Sequence, residues 1–280
     1  MTTKRRYFVG EMPKHIALLL ALVFTFAPIW LMLVISTKSN IQYYNTPLWL
    51  PSRDWGQIVA NYREAIETIL PFFLNSVIIT VTMVAGVLVI SSLAGFVMGC
   101  YRFPGRDLFY YSLLGIMAFP GVLTLVPAYL VTRSLGLKGM LMGVWLPQIA
   151  FWQPLGIFLL RNAYAAIPQE LFDAARMDGA SAWQELRYIG VPMTGAMLGT
   201  LAILGGTAAW NDYVWALVVL AEKRGSWPLT VGLVHQLHNF WAQYGLQMAS
   251  YTLAAVPLLL VFALGTRYFT AGLTSGVLKG

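Results

Sequence analysis

Six apolar runs dominate this 280-residue sequence, at about residues 16–36, 74–100, 108–131, 140–160, 193–221 and 248–269. Inside hydrocarbon every backbone N–H and C=O needs a partner within the protein, so a run of this kind has to be helical, and about 20 residues of helix cross ~30 Å. Only 10% of residues are charged, against roughly 25% in a soluble domain, so little of the chain is left for structure outside the bilayer. The expected fold is all-α: a polytopic membrane protein with six transmembrane helices, forming a single domain over residues 1–280. The first run is too long for a secretory signal and lacks a small-x-small cleavage pattern, so it reads as an anchor.

Lysine and arginine set the expected orientation. With the N-terminus inside, the inner segments hold eleven of them, from Lys4, Arg5 and Arg6 to Arg267 and Lys279, and the outer segments hold seven. The bias places both termini in the cytoplasm. It also accounts for the net charge of +7, which is therefore no sign of nucleic-acid binding. Cys100 is the only cysteine, so no intrachain disulfide exists; it reads as a small apolar filler.

The longest polar interruption on the inner side, residues 161–192, reads as a helical device. Pro168 suits the first turn of a helix and Gly179 the residue just past its end, where φ turns positive. Glu170 lies early, where the helix dipole favours an anion. Ser181 opens a second short helix with Gln184 three residues on, a capping-box pattern, and Pro192 marks a change of course. Leu171, Ala174, Ala175, Met177 and Asp178 give a face with small residues at its middle, which lets another surface come close.

Asp173-Ala174-Ala175, then Gly179, then Ile189-Gly190-Val191-Pro192 resembles the EAA loop of the membrane subunits of binding-protein-dependent ABC importers, usually Glu-Ala-Ala, Gly and Ile-x-Leu-Pro. Asp at 173 and Val at 191 are mild departures. The resemblance extends along nearly the whole chain, through Leu74-Asn75-Ser76, Tyr101-Arg102-Phe103-Pro104-Gly105-Arg106, Leu135-Gly136-Leu137, Trp210-Asn211-Asp212-Tyr213 and the tail from Gly272 to Gly280. These look like the MalG-like, carbohydrate-importing branch. The resemblance implies a permease subunit of the cell inner membrane, with a second and non-identical permease, two cytoplasmic ATPase subunits that carry ATP and Mg, and an external solute-binding protein as partners. Its coupling loop would seat in an ATPase cleft. There Glu170, Asp173, Arg176 and Asp178 would give polar rim contacts, Leu171 and Met177 apolar ones, Ala174 and Ala175 close approach, Gly179 the turn and Ser181 the second cap. The tail would reach toward the same ATPases.

Polar residues within or beside the spans are the candidates for a solute pathway. Asn75 and Ser76 open the second run at its outer end, where they either cap the helix or face the pathway. Trp152 and Gln153 place an indole and an amide inside the fourth run, for helix packing or for a sugar ring and its hydroxyls. Asn211, Asp212 and Tyr213 interrupt the fifth run, and Asp212 either caps a helix or acts in transport. Pro120, Pro127, Pro147 and Pro154 lie in the third and fourth runs and kink them. Trp55, Ile58, Val59, Tyr62 and Ile66 form an amphipathic helix expected at the outer interface. The outer loop from Glu222 to Gln247 carries Trp227, Phe240, Trp241 and Tyr244. His235 and His238 could share a helix face, but no third ligand lies near, so no metal site is expected.

No Gly-x4-Gly-Lys-Ser/Thr loop occurs, and no nucleophile has a plausible base, so the chain reads as a non-catalytic subunit without a cofactor of its own. The alternative is a self-sufficient ion-coupled carrier or channel. That needs titratable groups near the midplane, and Asp212 alone is thin support for it.

Overall fold

The computed structural model describes the backbone of residues 3–237 and 243–277, and the side chains of residues 12–235, 243–263 and 265. All regular structure among the described residues is helical. In chain order the helices are α1 (Thr3–Ser36), α2 (Asn40–Asn45), α3 (Trp55–Cys100), α4 (Arg106–Met117), α5 (Gly121–Ser134), α6 (Met142–Ala165) and α7 (Gln169–Met177). Next come α8 (Ala182–Glu185), a π-helical turn (Leu186–Gly190), α9 (Val191–Met193), α10 (Gly195–Asn211), α11 (Val214–Leu220), α12 (Leu229–Leu237) and α13 (Tyr244–Val277). The chain forms two compact units, residues 1–70 with 233–256 and residues 71–232 with 257–280.

Four segments are long and apolar enough to cross a membrane: Met12–Ser36, Trp55–Cys100, Met142–Ala165 and Tyr244–Ala263. Two bent pairs raise the number to six if each is counted as one crossing. The expected third span, 108–131, is one of them: α4 and α5 meet at 103° rather than running as one helix. Pro120 causes the break, since it has no N–H to donate and sits at ψ 126°, outside the helical region. The expected fifth span, 193–221, is also divided. The segment Ala182–Met193 meets α10 at 77°, around Thr194 at φ −102°, ψ 13°, two residues past Pro192. A second break at Asp212 and Tyr213 separates α10 from α11, as the polar interruption there leads one to expect.

The expected amphipathic helix of the first outer loop is corrected in two respects. It is the first part of α3, continuous through Pro71, so α3 is 46 residues long and about 69 Å at 1.5 Å per residue. Its buried face is Asn61, Ala65 and Ile69, whereas Trp55, Val59 and Ile66 stay exposed. For the same reason Asn75 and Ser76 do not start a helix and cap nothing; they lie in the interior of α3.

In the first unit, Ala65, Leu246 and Ala249 form a small core with Tyr62 and Leu253 packed on it. Asn61 binds the chain leaving α1, donating to the carbonyls of Ser36 and Lys38 at 2.9 Å each. In the second unit the core gathers Met83, Val87 and Phe96 of α3, Leu160 and Tyr164 of α6, Phe172 of α7 and Leu201 of α10. Close crossing of α3 and α6 rests on small residues at every fourth position. A methyl group on Gly95 would meet Leu160 Cβ at 2.9 Å, one on Gly99 would meet the Arg161 carbonyl at 2.9 Å, and Ser91 fills the space beside Gly156. In hydrocarbon, helices associate by such close packing, because lipid tails compete on equal terms with larger apolar side chains.

Candidate functional site

The loop between α6 and α10 has the helix-turn-helix form expected from its caps. Pro168 stands at the N-cap of α7, and Glu170 lies in its first turn. At the other end Gly179 adopts φ +83°. Its N–H bonds Arg176 O at 3.0 Å, and the Ala180 N–H bonds Ala175 O at 2.9 Å, the paired bonds of a Schellman cap. Ser181 and Gln184 then form the capping box of α8, with Gln184 Oε1 accepting from the Ser181 N–H at 2.7 Å.

What the helix turns inward differs from what its periodicity displays. Phe172 is fully buried, its ring 5.9 Å from that of Phe96 on α3. Outward lie Leu171 and the 89%-exposed Met177 of α7, with Trp183 of α8 and Tyr188 of the π-helical turn. Ala174, Asp173, Asp178 and Ser181 are exposed, and Ala175 is half-buried. Arg176, expected among the outward polar contacts, is engaged inside the loop. Its Nε and Nη2 donate to the two carboxylate oxygens of Glu185 at 2.8 and 3.0 Å, and its Nη1 donates to Asp173 at 3.2 Å. Glu185 is 2% exposed and accepts a third bond, from Tyr101 OH at 2.9 Å. The guanidinium also lies over the Tyr101 ring, 5.2 Å from its centroid. This carboxylate holds Arg176 even further above neutrality than an arginine ordinarily sits, while burial and then the Glu185 bond raise the Tyr101 phenol. Thus α7, α8 and the chain just after α3 are clamped around one buried carboxylate, whose arginine partner is part-exposed.

A cavity of about 650 Å³ opens between the bent α4–α5 pair, α6 and the α10–α11 break. Phe119, Phe151, Trp152 and Trp215 line it together with Gln148, Thr124 and Asp212. Of the seven residues proposed for a solute pathway, Trp152 and Asp212 reach this cavity. Asp212 does cap α11: it accepts from the N–H groups of Trp215 at 3.3 Å and Ala216 at 3.2 Å, and also from Gln148 Nε2 at 2.8 Å. Gln153 is used in packing, accepting from Ser91 at 2.8 Å and donating to Ile149 O at 3.1 Å. Asn75 donates to the carbonyls of Gly225 and Trp227 at 2.9 and 3.0 Å, and buried Ser76 accepts from the Leu229 N–H at 2.8 Å, so both fasten the chain between α11 and α12 to α3. Asn211 bonds Thr207 O in its own helix at 2.8 Å, and Tyr213 lies outside the cavity lining.

Three contributors escaped sequence reasoning: Phe172, Glu185 and Gln148. Gln148 lies four residues before Trp152 and so shares its helix face, a signal that was available. Nothing in the sequence marks Glu185 as the buried partner of an arginine nine residues earlier. His238, Phe240, Trp241 and the last residues of the tail lie outside the described residues; Trp227 is buried and its indole donates to Leu220 O at 3.0 Å.

Comparison with known proteins places the architecture. The chain is 34% identical over 209 residues to the arabinooligosaccharides transport system permease protein AraQ of Halalkalibacterium halodurans, covering 75% of this chain and 74% of that one. It is 31% identical over 288 residues to the osmoprotective compounds uptake permease protein GgtD of Synechocystis, covering 99% and 95%. The fold matches a chain of the crystal structure of a bacterial ABC transporter involved in the import of the acidic polysaccharide alginate, with TM-score 0.79 at 22% identity over 96% of this chain and 99% of that one. Residues 12–275 match the family described as binding-protein-dependent transport system inner membrane component, and the chain belongs to that family.

Proposed function

We propose that this chain is one of two membrane-spanning permease subunits of an ATP-driven importer that passes a sugar or oligosaccharide from an external solute-binding protein to the cytoplasm. Relatives whose names specify arabinooligosaccharides and diacetylchitobiose support the solute class. The partner permease is a non-identical member of the same family, and two cytoplasmic ATPases carry ATP and Mg. Both termini and the loop 161–192 face the cytoplasm, in keeping with the excess of lysine and arginine on that side.

The observation that carries this reading is the clamped loop. Leu171 and Met177 protrude with Glu170, Asp173 and Asp178 around them, Ala174 and Ala175 allow close approach, and Gly179 and Ser181 fix the turn. The Phe172 anchor and the Arg176–Glu185–Tyr101 clamp tie this outward face to α3 and the residue after it, and Phe172 shares a core with Leu160 and Tyr164 of α6. A loop held this way moves as a body. When ATP closes the ATPase pair, the two loops of the importer are drawn together and α3 and α6 follow, which favours the outward-open state. The ATP-bound ATPases need only bind that state better than the inward one to shift the population.

The test is purification of the chain from native membranes followed by reconstitution with whatever accompanies it. An accompanying ATPase, and uptake that requires ATP and the external binding protein, is the expected result. Uptake by this chain alone, driven by a proton or sodium gradient, would contradict the proposal.

A further inference from the structure

We infer that the cavity between α4–α5, α6 and the α10–α11 break is a solute site on this subunit, and that it accepts neutral, hydroxyl-rich solutes while rejecting anionic ones. The inference rests on the importer reading and adds the chemical class that the permease itself selects. Its size, about 650 Å³, is that of a small-molecule site. Phe119, Phe151 and Trp152 supply aromatic faces of the kind that pack on the C–H faces of sugar rings.

The polar groups decide the class. Gln148 donates its amide N–H to Asp212 Oδ2 at 2.8 Å. That contact fixes which end of the amide is oxygen, since a carboxylate accepts only from the nitrogen. Gln148 is 9% exposed and its Oε1 has no hydrogen-bond partner, a state that costs free energy unless a donor is supplied. The atom is covered in this conformation. Asp212 Oδ1 accepts a single bond, at 3.3 Å from the Trp215 N–H, which leaves it a free lone pair. Trp215 and Thr124 spend their donors elsewhere, on Val144 O at 3.2 Å and Gly121 O at 2.7 Å. Among the described residues no lysine, arginine or histidine lines the cavity, and the one formal charge there is the Asp212 carboxylate. Unfilled acceptors call for hydroxyl donors, and an unpaired negative charge in a wall of low polarity repels a uronate or a phosphate. Asn75, Ser76 and Gln153 lie outside the cavity lining and are hydrogen-bonded to other elements, so they do not compete for this role.

The test uses the intact importer, purified with its partner permease and ATPases but without the solute-binding protein. Saturation-transfer difference NMR is recorded with maltotriose, arabinotriose and raffinose as neutral probes and trigalacturonate as the acidic one. Wild type should give signal from at least one neutral probe and none from trigalacturonate. Gln148→Leu should weaken the neutral signal by about fivefold, the effect of one lost hydrogen bond. Asp212→Asn keeps a residue able to cap α11 and should admit trigalacturonate. Binding of trigalacturonate to wild type on a par with the neutral probes, absence of binding by all three neutral probes, or an unchanged acidic-to-neutral ratio in Asp212→Asn would each overturn the inference. Absence of an ATPase from the purified material is a separate outcome, one that tells against the importer reading whatever the probes do.

Discussion

At the scale of single residues, the decisive interaction is a buried carboxylate that sequence inspection does not flag. Glu185 is satisfied by Arg176 and Tyr101 together, so removing the arginine alone strands a charge away from water. Breaking a fully buried pair from one side costs about 3–5 kcal/mol, and less here because the Arg176 side chain is 35% exposed, whereas replacing both partners by apolar groups of similar size is often neutral. Arg176→Ala should therefore lower the thermal midpoint of the detergent-solubilised protein by several degrees, and Arg176→Met with Glu185→Leu should recover most of that loss. The half-buried thiol of Cys100 gives the readout through a maleimide dye. If the double variant is less stable than Arg176→Ala, the clamp is not a paired-charge device. Gly179 offers the opposite case: a Cβ there would touch nothing within 4 Å, so within this chain only its φ of +83° penalises a side chain. Gly179→Val should insert normally yet lose ATP-dependent uptake, while Gly179→Asn, which tolerates the left-handed region, should keep a substantial part of it. Equal activity of the two variants, measured in vesicles with matched protein content, would show that the turn geometry is not what uptake requires.

Among the helices, the stripe Ser91, Gly95 and Gly99 sets how closely α3 and α6 approach, and α7 hangs from that crossing through Phe172. Gly95→Leu would drive a side chain into Leu160 and the Arg161 backbone, an overpacking cost of about 1–3 kcal/mol. Protease cleavage within residues 168–190 should then become faster as the loop loses its support. An unchanged cleavage rate would mean the loop is held without the α3–α6 crossing. At this scale the sequence is uneven as a guide. Pro168, Gly179, Ser181 and Gln184 act through neighbours within four residues, so their caps are legible and appear where expected. The break at Asp212 is legible for the same reason. The bend at Pro120 looks in the sequence like a kink, because apolar residues continue on both sides and nothing local says that α5 leaves at 103°. The fusion of the expected loop helix with the second span is hidden too, since proline at Pro71 ordinarily argues for a boundary. Phe172, Glu185 and Gln148 depend on partners from other helices, and contacts of that range leave no periodic trace.

For the molecule as a whole, composition and the apolar runs specify a helical membrane protein, and the loop motif specifies which family to expect; both agree with the family match over residues 12–275. Of the proposed pathway, Trp152 and Asp212 fall on one cavity, Asn75, Ser76 and Gln153 are hydrogen-bonded between elements, and Asn211 bonds within its own helix. We propose that the clamped loop is the handle by which a partner ATPase moves the membrane helices. This is tested most directly by a single cysteine at Met177, the 89%-exposed residue on the outward face of α7, in a Cys100→Ser background, crosslinked in native membranes with and without trapped ATP. A crosslink to a cytoplasmic ATPase whose yield changes with nucleotide is the expected result. A cysteine at Met177 that reacts freely with soluble maleimide in active membranes, and captures no ATPase in either nucleotide state, would contradict it.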